Sequence, residues 1–166
     1  MEGGGYECVV SAVCAQIAAV TTQLRLEITE SSHAFRAPPV ESQRLLLAFD
    51  KARHAAVGRG RDGDEPHILL TLLQPFLDTI SCEDMSGVAT QRALCAVSTL
   101  LSSTSLWGDE APQAIGAVVN AAINCRFEVT DPAADEVVLL CIVQLLYACV
   151  ASDAGEHLSD EVGAPK

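Results

Sequence analysis

Residues 131–151 constrain the fold more than any other stretch of the chain. Asp131 and Pro132 lead to Asp135 and Glu136, and then come fifteen residues, Val137 to Ala151, in which Gln144 is the one strongly polar side chain. A membrane-spanning helix needs about twenty apolar residues, so the run reads as a helix inside a folded domain. Asp131 is a good N-cap, accepting from backbone N–H groups that lack a partner in the first turn. Pro132 suits the first helical position, where its missing N–H would have been unpaired anyway. Asp135 and Glu136 meet the positive end of the helix dipole, a favourable term of about 0.3–1 kcal/mol each. Because the run is apolar on nearly every side, it should be covered by neighbours on more than one face and form the central helix of the domain.

The remaining chain repeats a helical period. In residues 8–28, Val9, Val13, Ile17, Val20, Leu24 and Ile28 recur at steps of three and four, the spacing of one apolar helix face. Leu45, Leu46, Phe49, Ala52 and Ala56 repeat the pattern over 41–57 before Gly58, Gly60 and Gly63 interrupt it. Pro66 opens a third helix carrying Ile68, Leu69, Leu72 and Leu73. Pro75 inside it removes a hydrogen bond to the preceding turn and should kink or divide it. A fourth helix over about 88–104 aligns Leu94, Val97, Leu100 and Leu101. A fifth, bracketed by Gly108 and Pro112, carries Ile115, Val118, Val119, Ala122 and Ile123.

Six such segments, 49% hydrophobic residues and only 4% aromatics favour helices packed through aliphatic ridges over a β-sandwich. The expected class is all-α, an irregular HEAT- or armadillo-like stack of about six helices, with no sequence repeat clear enough to define the unit. The domain is expected over residues 6–160, with a flexible N-terminus at 1–5, connectors at about 29–40 and 58–65, and a truncated tail at 161–166.

A formal charge of −12 opposes binding to a phosphate backbone. The one basic cluster, Lys51, Arg53, His54, Arg59 and Arg61, is followed at once by Asp62, Asp64 and Glu65, and GRGRDGD lacks the Lys-Ser/Thr ending of a phosphate loop. Seven cysteines without a CxxC pair read as reduced thiols, those in apolar helical runs (Cys14, Cys95, Cys141, Cys149) acting as small hydrophobes. His33, His54, His67 and His157 fall in or beside predicted loops without ligand or nucleophile spacing. No cofactor or metal is expected. MEGGGYECVV lacks the positive charge and continuous apolar region of a secretory signal.

Two segments resemble the GBF/Gea/GNOM class of large Sec7-containing Arf guanine-nucleotide exchange factors. LLQPFLDTISCEDMSG at 72–87 is similar to the Leu-Pro-Phe-Leu pattern followed by an acidic turn and glycine. CRFEVTDPAADEVVLLCIVQLLYAC at 125–149 is similar to the plant-type form in its Arg-Phe, Thr-Asp-Pro-Ala, Glu-Val-Val-Leu and Gln-x-Leu elements. Weaker similarity runs from Tyr6 to His157-Leu158-Ser159, with 29–65 divergent. The resemblance is to the N-terminal dimerisation and cyclophilin-binding (DCB) domain.

That resemblance implies a non-catalytic module in vesicle-mediated transport. It implies association with another DCB domain or with the downstream homology-upstream-of-Sec7 (HUS) domain, possible binding of a cyclophilin, and an indirect link to an Arf GTPase. It also implies a cytoplasmic location, peripheral to Golgi or endosomal membranes. Exchange belongs to a Sec7 domain, which nothing in these 166 residues matches, so the chain is not expected to be an enzyme by itself. The end at EHLSDEVGAPK interrupts the family's next helix, as a fragment would. Carried over residue by residue, the self-association contact of the class uses Glu136, beside Asp135, and a basic residue whose position here is held by Thr99. The family's ion pair then cannot form in the same way. The competing reading of Glu136 is a carboxylate that merely complements its helix dipole. For the whole chain the alternatives are a HEAT-like adaptor unrelated to Arf, and a membrane-surface module that would use helix one, whose polar side lacks the Lys and Arg suited to anionic lipid.

Overall fold

The first helix already shows how the stack is built, because Val13, Ile17, Val20 and Leu24 all vanish from the surface while Ala15, Ala18 and Thr22 between them stay exposed. The computed structural model describes residues 3–33, 40–58, 68–102, 110–127 and 132–152. Among them are six helices and no strand: α1 (Gly3–His33), α2 (Val40–Gly58), α3 (Ile68–Ser81), α4 (Gly87–Leu101), α5 (Ala111–Ile123) and α6 (Pro132–Ala151). The protein is all-α.

The helices form two layers. One holds α2, α3 and α5 side by side and the other α1, α4 and α6, with α1 facing α2, α3 facing α4 and α5 facing α6. Each helix buries one stripe between the layers, as expected of stacked helical hairpins. Leu45, Phe49, Ala52 and Ala56 of α2 meet Leu69, Leu72, Leu73, Phe76, Leu77 and Ile80 of α3 in this core. Phe49 and Phe76 are fully buried and pack edge to face, ring centres 4.9 Å apart at 77°, an arrangement worth about 0.5–1.5 kcal/mol beyond its buried area. Ala89, Ala93 and Ala96 of α4 and Ala114, Ala121 and Ala122 of α5 are also buried. Small side chains at these positions let the helix axes approach closely.

Two polar contacts fix helix starts. Ser86 caps α4, its Oγ accepting from the Ala89 N–H at 3.1 Å and donating to Glu27 Oε1 of α1. Glu110, just before α5, accepts from the Leu69 N–H in the first turn of α3 at 3.0 Å. A carboxylate there satisfies an orphan donor and meets the helix dipole.

Several expectations are corrected. Helix α1 takes in Gly3–Gly5, expected to be flexible, and continues through residues 29–33 of the expected connector. No proline intervenes before Pro38, and Thr29 Oγ1 donates back to the Arg25 carbonyl at 2.8 Å, which keeps its hydroxyl satisfied within the helix. Pro75 does not divide α3, which is one helix from Ile68 to Ser81. Burial of Leu72, Leu73, Phe76 and Leu77 on both sides of the proline outweighs the lost hydrogen bond. The largest correction concerns α6, which is not central. It stands at the end of its layer, against α4 and α5 on one side only.

Asp131, residues 59–64 of the GRGRDGD stretch, Pro66, His67 and His157 lie outside the described residues.

Candidate interaction surface

Helix α6 starts at Pro132 with Asp135 in its first turn. It buries Val138, Leu145 and Cys149 completely, and these residues at steps of seven and four lie on one stripe toward α4 and α5. On a helix of 3.6 residues per turn, Leu139, Leu140, Val143, Tyr147 and Val150 occupy the opposite side. Their exposures of 57%, 55%, 63%, 75% and 71% mark a continuous apolar face open to solvent. Val137, at 39%, borders it. A scattered exposed leucine needs no explanation, but a contiguous row of five large apolar side chains is uncommon on the surface of a single folded domain.

Glu136 is exposed and lies on the same side of α6, at the N-terminal end of the apolar row. Asp135 points the other way and is half buried. Its Oδ1 is buried without a hydrogen-bond partner, and it sits where a methyl group on Gly87 of α4 would stand 3.5 Å away. The same methyl would meet Val138 at 3.6 Å, so the first turns of α4 and α6 lie side by side. Farther along, Cys95 Sγ and Cys141 Sγ are 4.0 Å apart. The two helices therefore run in the same direction.

This geometry separates the three residues singled out from the sequence. Asp135 and Glu136 are neighbours at the start of α6. Thr99 is exposed on α4, its hydroxyl donating to the Cys95 carbonyl at 2.9 Å. It lies twelve residues beyond Gly87, about 18 Å along the axis at 1.5 Å per residue. Within one chain, Thr99 and Glu136 are not brought together. The basic residue of α4 is Arg92, exposed on the same outer face as Val88, Cys95 and Thr99. Sequence reasoning missed Arg92, and it assigned the five apolar residues of α6 to a core.

Among the described residues no group of three or more His, Cys, Asp or Glu is placed to hold a metal ion, and no helix is long and apolar enough to cross a membrane. The chemistry on offer is apolar contact edged by a carboxylate.

No family model matches the sequence. Individual relatives do. The chain is 42% identical over 91 residues to the Arf guanine-nucleotide exchange factor GNL1 of Arabidopsis thaliana, covering 54% of this chain and 6% of that protein. It is 41% identical over 91 residues to the Arf guanine-nucleotide exchange factor GNOM of the same plant, again 54% of this chain and 6% of the relative. Similarity extends to Arf guanine-nucleotide exchange factor 2 of Saccharomyces cerevisiae, 36% identical over 96 residues, 56% of this chain and 6% of the yeast protein. The chain thus spans about 6% of the length of these relatives. Over roughly half of its length, the chain is a homologue of one small segment of the plant and yeast Arf guanine-nucleotide exchange factors.

Proposed function

We propose that the chain is a non-catalytic docking module of an Arf guanine-nucleotide exchange factor, with the outer face of α6 as its contact surface. The supporting observation is the row Leu139, Leu140, Val143, Tyr147 and Val150, which stays exposed at the end of a stack whose other helices bury their apolar stripes. Full burial of a side chain of this size is worth about 1.5–3 kcal/mol. Covering several of them supplies enough free energy for specific association once ordering costs are met. A second helical stack, either another copy of this domain or the downstream HUS domain, presents the ridges that fit such a face. Cyclophilin binding, Golgi or endosomal membranes and a route to Arf are carried by the family resemblance alone. Exchange is assigned to a Sec7 domain elsewhere in the parent protein.

Glu136 sets the polar edge of the surface. With Thr99 in the basic position of the family's contact, the apolar row rather than an ion pair carries the affinity, and Glu136 contributes to orientation. Co-purification of this chain with a tagged HUS domain, and with a differently tagged copy of itself, tests the proposal. Retention of either is expected, reduced by Leu140→Asp and less by Glu136→Lys. Retention of neither partner by the unaltered chain overturns it.

A further inference from the structure

Cys95 and Cys141 are in van der Waals contact across the α4–α6 boundary, 4.0 Å from sulfur to sulfur. They are far apart in sequence and on separate helices, so the contact is made by the tertiary structure. Neither is an ordinary core thiol. Cys95 is exposed and Cys141 is half buried behind it, while Val138 and Leu145, one turn to either side of Cys141, are completely buried. Among the described cysteines, no other pair has its sulfurs in contact. Both are free thiols. A disulfide requires the sulfurs to close from 4.0 Å to about 2.05 Å, a movement of about 2 Å.

We propose that Cys95 and Cys141 form a reversible oxidation site, closed by a hydroperoxide into a disulfide that ties α4 to α6. In the first step the Cys95 thiolate attacks the peroxide O–O bond, giving a sulfenic acid at Cys95 and releasing water, or an alcohol from an organic peroxide, once the leaving oxygen is protonated. In the second, the Cys141 sulfur attacks the Cys95 sulfur, the S–O bond breaks, and the oxygen leaves as water with the thiol's proton. Two thiols are oxidised and one peroxide is reduced, and an external thiol reverses the step by exchange. The exposed Cys95 is the thiol a peroxide reaches first, and Cys141 is already in contact to resolve it before further oxidation. The bridge crosses the boundary next to the α6 contact face and fixes α6, the end helix of its layer, onto the stack. The proposal does not depend on that face having a partner.

The test exposes the whole chain to hydrogen peroxide, blocks remaining thiols and maps disulfides by peptide mass spectrometry without reduction. A Cys95–Cys141 linkage within one molecule is expected, removed by dithiothreitol and accompanied by a higher unfolding temperature. Cys141→Ser should instead leave Cys95 as a sulfenic acid, which dimedone labels, and then as a sulfinic acid, read by its mass. This variant has to keep the helical circular dichroism spectrum of the parent. Oxidation that leaves Cys95 and Cys141 unlinked in the unaltered chain, or that links Cys95 only between molecules, overturns the proposal. Loss of partner binding in the pull-down would leave this result unchanged, so the two readings fail separately.

Discussion

A methyl group on Gly87 would stand 3.5 Å from Asp135 Oδ1, which places the beginnings of α4 and α6 side by side and makes the two helices a parallel pair. The outer face of α6 is what this pairing leaves uncovered, and Gly87 has room for a methyl group in ordinary van der Waals contact. Gly87→Ala is therefore expected to keep the fold, with a change in unfolding free energy within about 1 kcal/mol, the size of the helix-propensity gain of alanine over glycine. Urea unfolding followed by circular dichroism checks this.

The contact between Phe49 and Phe76 should dominate core stability. Both rings are fully buried, and truncating a buried phenylalanine costs about 3–5 kcal/mol through lost transfer energy and the cavity left behind. Phe49→Ala and Phe76→Ala should each lower stability by that amount in urea. Their combination should cost less than the sum because the two share one contact.

Ser86 serves two helices. Ser86→Ala removes the acceptor for the Ala89 N–H and the donor to Glu27, so a loss of about 1 kcal/mol or somewhat more is expected. Ser86→Asp keeps an acceptor at the cap but sets a second carboxylate against Glu27. It should therefore recover only part of the stability lost in Ser86→Ala, read by urea unfolding.

Three thiols give the stability curve a definite alkaline limb. Burial pushes Cys125 and Cys149 from 9.0 up to about 11, and burial together with the neighbouring Cys95 sulfur does the same for Cys141. A raised folded-state value means that the folded chain holds these protons more tightly than the unfolded one. The contribution is complete below pH 9 and is lost between about 9 and 11, each thiol that must ionise adding a slope of up to about 1.4 kcal/mol per pH unit. Unfolding temperatures measured from pH 7 to 11 should be level at first and then fall. Cys149→Ala should make the fall shallower.

Much of this fold was legible in the sequence. Val13, Ile17, Val20 and Leu24, and Leu45, Phe49, Ala52 and Ala56, form the stripes their spacing predicts, because an amphipathic helix has one way to hide its apolar side. The same logic failed for α6. When Leu139, Leu140 and Val143 are as apolar as Val138 and Leu145, the period of the helix no longer says which side is covered. Only its place in the stack does. Glu136 could be read as part of the surface, but its distance from Thr99 could not, since that depends on α4 and α6 being parallel. The continuity of α3 through Pro75 likewise follows from packing against α2, α4 and α5, which local propensity does not record.

Sedimentation analysis of the chain with the downstream HUS domain, comparing Val143→Asp on α6 with Leu47→Asp on the exposed side of α2, tests the contact face most directly. Both side chains are well exposed, at 63% and 67%, so each substitution should leave the helical spectrum and the stability within about 0.5 kcal/mol of the parent. Association weakened at least tenfold by Val143→Asp and unchanged by Leu47→Asp is the expected result. Equal affinity of the parent and Val143→Asp, or equal weakening by both substitutions, would contradict the assignment of the α6 face.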